Sequence, residues 1–147
     1  MEIWVINGPN LNLLGVREPA IYGRTDYDTL CAGLAAAAKE EGVALRCLQS
    51  NHEGALVDWI QEAYGKADGL ILNPGAYTHT SIALLDALCA VGLPTVEVHI
   101  SDPDAREEFR RISYVRRACF ATVKGHGVTG YGEALHLLCA HLRAENG

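Results

Sequence analysis

The chain has 147 residues, of which 49% are hydrophobic and 20% are charged, as expected for one soluble globular domain. Its net charge of −6 argues against nucleic acid or an anionic membrane as the main partner. The five cysteines form no Cys-x-x-Cys pair, which argues against a zinc or redox motif and favours a reducing compartment. The N-terminus lacks a signal-peptide pattern and no apolar run is long enough to span a membrane, so we expect a cytoplasmic protein without a membrane partner.

Apolar segments and turn residues alternate along the chain and predict five strands, at 3–6, 43–48, 69–72, 95–100 and 119–123. Helices are predicted at about 25–42, 53–64, 82–91, 103–111 and 135–142. Thr25 and Asp28 resemble a capping box, Thr80 or Ser81 can cap the third helix, and Asp102 can cap the fourth. The alternation predicts a single α/β domain over residues 1–147. We expect a flavodoxin-like three-layer sandwich with a five-stranded parallel sheet in the order 2-1-3-4-5.

The connection after the first strand, residues 8–24, is longer than the usual strand-to-helix loop of about 2–6 residues. It carries Asn10, Arg17 and Tyr22, with Gly15 and Gly23 as possible hinges. Long loops of this kind are often functional, so we expect a mobile lid at about residues 15–24.

Polar residues also follow the third predicted strand, where Asn73, Thr78 and His79 precede a helix. Ligands of open α/β sheets bind beyond the carboxyl ends of the strands. The segment therefore predicts a binding site, although an ordinary connection with a surface histidine has the same pattern.

The fourth predicted strand places Glu97 and His99 on one face, because alternate residues of a strand share a face. A carboxylate beside an imidazole favours the imidazolium and orients the ring. His99 is therefore a candidate proton donor or acceptor; a structural core histidine is the alternative.

Basic residues follow this strand and indicate a small anionic ligand. Arg106 and Arg110 are four positions apart and share a face of the predicted helix. The amides of Ile100 and Ser101 approach that helix's N-terminus, where anions bind well. A surface ion-pair network is the alternative.

Known motifs for other chemistries are absent: no Gly-x-Gly-x-x-Gly follows the first strand, and the chain has no Walker A sequence, Gly-x-Ser-x-Gly or His-Glu-x-x-His. His136 and His141 are five apart on a helix and do not share a face, so no metal site is expected. Cofactor-free acid/base chemistry on a small anion is the interpretation that remains.

Five motifs, taken together, resemble the type II 3-dehydroquinate dehydratase (type II dehydroquinase) family. They are Asn-Gly-Pro-Asn-Leu at 7–11, Arg-Glu-Pro-x-x-Tyr-Gly at 17–23, Asn-Pro-Gly-Ala-Tyr-Thr-His-Thr-Ser at 73–81, Glu-Val-His-Ile-Ser at 97–101 and Arg-Glu-x-Phe-Arg at 106–110. The resemblance implies a lyase that dehydrates 3-dehydroquinate reversibly to 3-dehydroshikimate, by anti elimination through an enolate. It also implies no cofactor, a homododecamer built from trimers, and a place in shikimate biosynthesis or quinate breakdown.

The resemblance further implies roles for individual residues. Tyr22 would take a proton from C2, and His99, oriented by Glu97, would protonate the departing C1 hydroxyl. Asn10 would hold a water at the enolate oxygen, and Arg17 would lie on the lid beside Tyr22. Asp86 would reach a neighbouring subunit's site. The substrate would be bound by Asn73, His79, Arg110 and the amides of Ile100 and Ser101, with Arg106 in support.

Elementary chemistry agrees with a tyrosine base if cations stabilise its phenolate, since phenols ionise only near pH ~10. We expect Arg17 and Arg110 to supply this charge. Some residues depart from the family pattern: Asp102, which adds a negative charge near the presumed anion-binding amides, and Arg116, Arg117, Ala121 and Lys124. Two alternatives stay open: a non-catalytic flavodoxin-like module that binds a nucleotide, flavin or other small ligand, and an inactive relative that serves as a scaffold.

Overall fold

The computed structural model describes residues 1–147 and contains one parallel sheet of five strands in the order β2-β1-β3-β4-β5. The strands are β1 (Glu2–Asn7), β2 (Ala44–Gln49), β3 (Gly69–Asn73), β4 (Thr95–His99) and β5 (Ala121–Lys124). The helices are α1 (Pro19–Tyr22), α2 (Tyr27–Glu41), α3 (Glu53–Ala63), α4 (Ile82–Val91) and α5 (Gly130–Glu145). The predicted fold class and strand order are therefore confirmed.

Each face of the sheet supports its own hydrophobic core because successive strand residues point in opposite directions. Ile3 and Val5 pack with residues of α2 and α5 on one face. Trp4 and Ile6 pack with residues of α3 and α4 on the other. The result is a three-layer sandwich in which β3 and β4 are buried along their whole length. None of the helices has the length and apolar character needed to cross a membrane.

The observed helix caps agree only in part with those predicted from the sequence. Ser81 caps α4 by accepting a hydrogen bond from the Leu84 amide at 3.0 Å, which was one of the two predicted caps. The capping box predicted at Thr25 and Asp28 is wrong. Asp26 is the cap of α2, and its carboxylate accepts from the Thr29 amide at 2.8 Å.

The helix predicted from Pro103 to residue 111 is also wrong. Asp102 caps a single 3-10 turn, Pro103–Ala105, and a second 3-10 turn covers Glu108–Arg110. Between them Arg106 adopts extended backbone, with φ −104° and ψ −153°, which interrupts any helix. Arg106 and Arg110 therefore share no helical face, and the shape of this loop alone determines where each guanidinium lies.

Two glycines allow the loops after β1 and β3 to meet at the carboxyl edge of the sheet. A Cβ on Gly8 would lie 2.3 Å from the carbonyl oxygen of Pro74, so no other residue fits there. Gly75 has φ +59° and lies against Pro9. This close approach joins the polar ends of β1 and β3 into one surface.

Candidate active site

A pocket lies at the carboxyl edge of the sheet, between the ends of β1, β3 and β4 and the loop at residues 15–24, here called the lid. Its empty volume is about 630 Å³, including the part open to solvent. Most residues that the sequence assigned to the site line it: Asn10, Arg17, Tyr22, Asn73, His79, His99, Ile100, Ser101, Arg106 and Arg110. Glu97 and Asp86 do not line it.

The Glu97 carboxylate lies inside the protein, next to His99. His99 Nε2 and Glu97 Oε2 are 2.8 Å apart, and Ser113 donates its hydroxyl to the same oxygen at 2.5 Å. The other carboxylate oxygen accepts from Arg116 Nε at 2.8 Å and from the Thr122 hydroxyl at 3.2 Å. These four partners of the carboxylate, His99, Ser113, Arg116 and Thr122, are called the Glu97 cradle below.

The cradle keeps Glu97 ionised. Burial favours the neutral carboxyl, but the hydrogen bond and charge of His99 and the hydrogen bonds from Ser113 and Arg116 outweigh it and lower the pKa of Glu97 to about 2. An ionised Glu97 accepts the Nε2 proton of His99, which leaves Nδ1 without a protein partner. The imidazole is thus held in one orientation at the edge of the pocket.

Tyr22 is the second candidate proton-transfer group in the pocket, and its phenol oxygen can carry a proton. Arg106 Nη1 donates a hydrogen bond to its phenol oxygen at 2.7 Å, and the Arg17 guanidinium lies 4.7 Å from the ring centroid. Two cations therefore lie next to the Tyr22 phenol. The expected partner Arg17 is present, but Arg106 takes the place expected for Arg110, whose guanidinium instead pairs with Glu107 at 2.7 Å.

Polar side chains on the opposite side of the pocket are fixed by residues that the sequence analysis missed. Asn73 donates to the buried Tyr131 hydroxyl at 2.8 Å, and that hydroxyl donates to Asn7 at 2.7 Å. Tyr131 belongs to α5, far along the chain, and no local motif marks it. Its effect is to hold the Asn73 amide in a fixed orientation at the pocket.

His79 is oriented by the backbone of a neighbouring loop. Its Nδ1 lies 2.7 Å from the Ile112 carbonyl oxygen, which can only accept, so Nδ1 carries a proton. Burial lowers the pKa of His79, and the charges of His99 and Arg110 add to this effect, while the Ile112 carbonyl opposes it. A neutral His79 then has Nε2 free to accept a hydrogen bond from a ligand hydroxyl.

Asn10 lies at the start of the loop after β1 in left-handed backbone, with φ 68°. The backbone N–H of Asn10 donates a hydrogen bond to Asn51 Oδ1 at 3.0 Å, which connects this turn to the loop after β2. Its own side chain has no protein partner and lines the pocket, where it can bind a ligand or a water.

Asp86 lies on the exposed side of α4, away from the pocket of its own chain. The sequence predicted burial of this helix on more than one side, but Ile82, Ala83 and Cys89 are exposed in the single chain. The predicted role of Asp86 requires a neighbouring subunit and stays a prediction.

The negative charge of Asp102 is partly neutralised by another departure from the family pattern. Lys124 Nζ lies 3.6 Å from the Asp102 carboxylate and also contacts Asp104. The lysine and the two aspartates form an ion-pair cluster next to Ser101. The electrostatic cost expected from Asp102 is therefore reduced by Lys124.

Fold and pocket together define a flavodoxin-like α/β protein equipped for proton transfer on a small anion. The family model described as class II dehydroquinase matches residues 1–139. The chain belongs to that family.

Curated relatives and solved structures agree over nearly the full length. A 3-dehydroquinate dehydratase of Rhodopseudomonas palustris (strain TIE-1) is 54% identical over 146 residues, covering 97% of this chain and 95% of its own. One from Synechococcus sp. (strain CC9605) is 50% identical over 143 residues, covering 97% of this chain and 98% of its own. The crystal structure of a type II dehydroquinase from Butyrivibrio crossotus DSM 2876 has a TM-score of 0.92 and 48% identity, covering 94% of this chain and 97% of that one.

Proposed function

We propose that this chain catalyses the reversible dehydration of 3-dehydroquinate to 3-dehydroshikimate and that Tyr22 and His99 carry the two proton transfers. The observation that carries the assignment is that both side chains line one pocket, each with its own partner: Arg106 for the phenol and Glu97 for the imidazole. A non-catalytic small-ligand or nucleotide-binding module is not favoured, since the family model and the relatives at about half identity are dehydroquinases and 3-dehydroquinate dehydratases.

In the first step the phenolate of Tyr22 removes a proton from C2 of the substrate. The electron pair of the C–H bond becomes the C2–C3 double bond of an enolate, and the charge moves to the C3 oxygen. Arg17 and Arg106 stabilise the phenolate before the transfer. Asn10 holds a water that donates a hydrogen bond to the enolate oxygen.

In the second step the C3 carbonyl re-forms, the C1–C2 double bond forms and the C1–O bond breaks. The imidazolium of His99 donates a proton from Nδ1 to the departing hydroxyl, which leaves as water. Glu97 keeps the ring in place because it holds Nε2. The base and the acid act on opposite faces of the substrate, as anti elimination requires.

The remaining pocket residues bind the substrate. Arg110 and the amides of Ile100 and Ser101 bind its carboxylate or hydroxyls, and Asn73 and His79 bind hydroxyls. Binding energy from these groups positions C2 and C1 relative to the two catalytic side chains.

The lid closes over the pocket once the substrate is bound, within a single domain of residues 1–147. Support comes from its backbone, since amides of residues 16–23 donate only to carbonyls of residues 13–19. Gly15 and Gly23, with φ of 85° and 82°, stand at its ends as hinges. Closure excludes water and strengthens the electrostatic contacts to Tyr22.

We further propose that the chain assembles into a homododecamer of trimers, in which Asp86 reaches a neighbouring site, and that it acts in the cytoplasm in shikimate biosynthesis or quinate breakdown. The exposed apolar residues of α4 support a subunit contact there. Mass measurement in solution tests the assembly.

The activity is tested by mixing the purified protein with 3-dehydroquinate and following the ultraviolet absorbance of the conjugated enone product. We expect turnover without any added cofactor or metal. Absence of turnover across a range of pH would contradict the proposal.

A further inference from the structure

The Glu97 cradle contains one permanent cation, Arg116. Its Nε donates to Glu97 Oε1 at 2.8 Å, on the side of the carboxylate away from His99. The Glu97 side chain is 0% exposed, whereas that of Arg116 is 35% exposed. Arg116 does not line the pocket.

A buried carboxylate is stable in its ionised form only if its charge is balanced and its lone pairs are bonded. Ser113 and Thr122 supply hydrogen bonds but no charge. Without Arg116, the sole cation that can balance Glu97 is the imidazolium of His99. A proton would then be held more tightly between the two residues.

We propose that Arg116 is a positioning residue of the reaction: its guanidinium balances the buried charge of Glu97, so that His99 is free to give up its proton to the substrate. The inference rests on the proposed function, because it assigns a role relative to His99 as the acid. Arg116 acts on His99 through Glu97, while its charge also reaches Asp104, Cys119 and Lys124.

Other charged or titratable groups also lie near the Glu97–His99 pair. His79 and Arg110 lie across the pocket, and the Cys119 thiol senses the charges of Glu97 and Arg116 from the segment before β5. The lid side contributes Arg17, Tyr22 and Arg106. All of these remain when Arg116 is replaced, so a change on its replacement reports Arg116 itself.

Arg117 provides a matched control. It is the next residue in the same 3-10 turn, Val115–Ala118, is exposed and forms no ion pair. Arg116→Met and Arg117→Met change the net charge equally, yet only the first removes a cation from Glu97. Arg116→Lys keeps a cation at the cradle.

The experiment measures kcat and KM for 3-dehydroquinate from pH 5 to 10 in the wild type and these three variants. For Arg116→Met we expect the alkaline limb of the kcat profile, on which the general acid loses its proton, to move up by about one pH unit. On the plateau where the general acid is fully protonated, we expect kcat to fall by up to about tenfold because a weaker acid donates more slowly. KM should stay within about twofold, and Arg116→Lys should restore most of the profile.

A second readout does not depend on turnover. Diethyl pyrocarbonate modifies neutral imidazole, so the pH midpoint for modification of His99, followed by peptide mass spectrometry, should also move up by about one unit in Arg116→Met alone. Equal profiles and midpoints in Arg116→Met and Arg117→Met would overturn the inference, as would lower thermal stability in Arg116→Met with an unmoved midpoint. A wild type that fails to turn over 3-dehydroquinate would overturn the proposed function instead, and the midpoints would still decide the role of Arg116.

Discussion

The two sides of the pocket differ in how they hold their functional groups. His99 is the last residue of β4, a strand buried at every residue. Its ring is hydrogen-bonded to the Glu97 carboxylate, which has four partners in all. Tyr22 ends the one-turn helix α1, which has no buried residue; its hydroxyl has one hydrogen bond, from Arg106, and its half-buried ring contacts Arg17 and the edge of the core. Glu18 precedes α1 with φ 39°, a conformation that costs energy in a residue other than glycine.

This difference matches the work proposed for each group. An acid that donates at the end of the reaction has to be oriented before the substrate arrives, and a buried strand supplies that rigidity. A base that must approach the substrate after it has entered can be carried by a segment with only local backbone bonds. The proposed mechanism thus combines one rigid and one movable proton-transfer group.

Replacing the two groups should have the largest effect. We expect Tyr22→Phe and His99→Ala each to lower kcat by about 10²–10⁴-fold, because each removes a proton-transfer group. Tyr22→Phe should leave the unfolding midpoint nearly unchanged, since phenylalanine keeps the ring that packs against the core. Enone formation and thermal unfolding, measured side by side, check this. Near-normal turnover in either variant would remove that residue from the mechanism.

Glu97→Gln tests the rigid side through stability. The folded protein holds the pKa of Glu97 at about 2, below its ordinary value of 4.5. Its ionised form therefore stabilises the fold fully above pH 4.5, by about 3 kcal/mol, and this contribution is lost as the pH falls towards 2. Glu97→Gln should be less stable than wild type at pH 7, and the difference in the free energy of unfolding, here called the gap, should become smaller in acid.

Urea unfolding at pH 7, 5 and 3 measures that gap. Glu108→Gln is the control, because Glu108 is exposed and forms no ion pair. A gap of the same size at all three pH values would contradict the role of the ionised carboxylate.

Arg106→Met tests the movable side. The variant loses the hydrogen bond to the Tyr22 hydroxyl and one of the two cations near the phenol. A hydrogen bond to a charged group contributes about 1.5–3 kcal/mol, so we expect kcat/KM to fall roughly 10–100-fold. Steady-state kinetics measures this effect. Arg111→Met, at an exposed arginine outside the pocket, should change little. If kcat/KM fell no further in Arg106→Met than in Arg111→Met, stabilisation of the phenolate would be assigned to Arg17 alone.

The smallest effect is expected at Lys124. In Lys124→Met the charges of Asp102 and Asp104 lose their nearest cation beside the proposed carboxylate site. Exposed ion pairs contribute about 0–1 kcal/mol, so KM should rise by no more than about fivefold. Adding Asp102→Asn should reverse much of that rise. A double variant no better than Lys124→Met would show that Asp102 does not act on the substrate.

Much of the site was readable from the sequence because its residues follow strand ends. The alternation at Glu97 and His99 predicted their contact, and Asn73 and His79 were placed at the pocket by the rule that ligands bind beyond strand ends. Such features depend on residues a few positions apart, for which the backbone period fixes the geometry.

The sequence by itself determined the five strands and the polar strand ends, since the hydrophobic period is a property of local segments, and it favoured the strand order that the sheet adopts as the simplest choice. The tertiary structure alone decided which side chains that are distant in the sequence contact each other, including which arginine lies next to Tyr22 and which lies next to Glu97. Arg106 reaches Tyr22 across 84 positions, and Tyr131 reaches Asn73 across 58. Arg116 reaches Glu97 because the loop after β4 does not continue as a helix. Contacts of this kind depend on how loops fold back over the sheet, and no periodicity encodes that path.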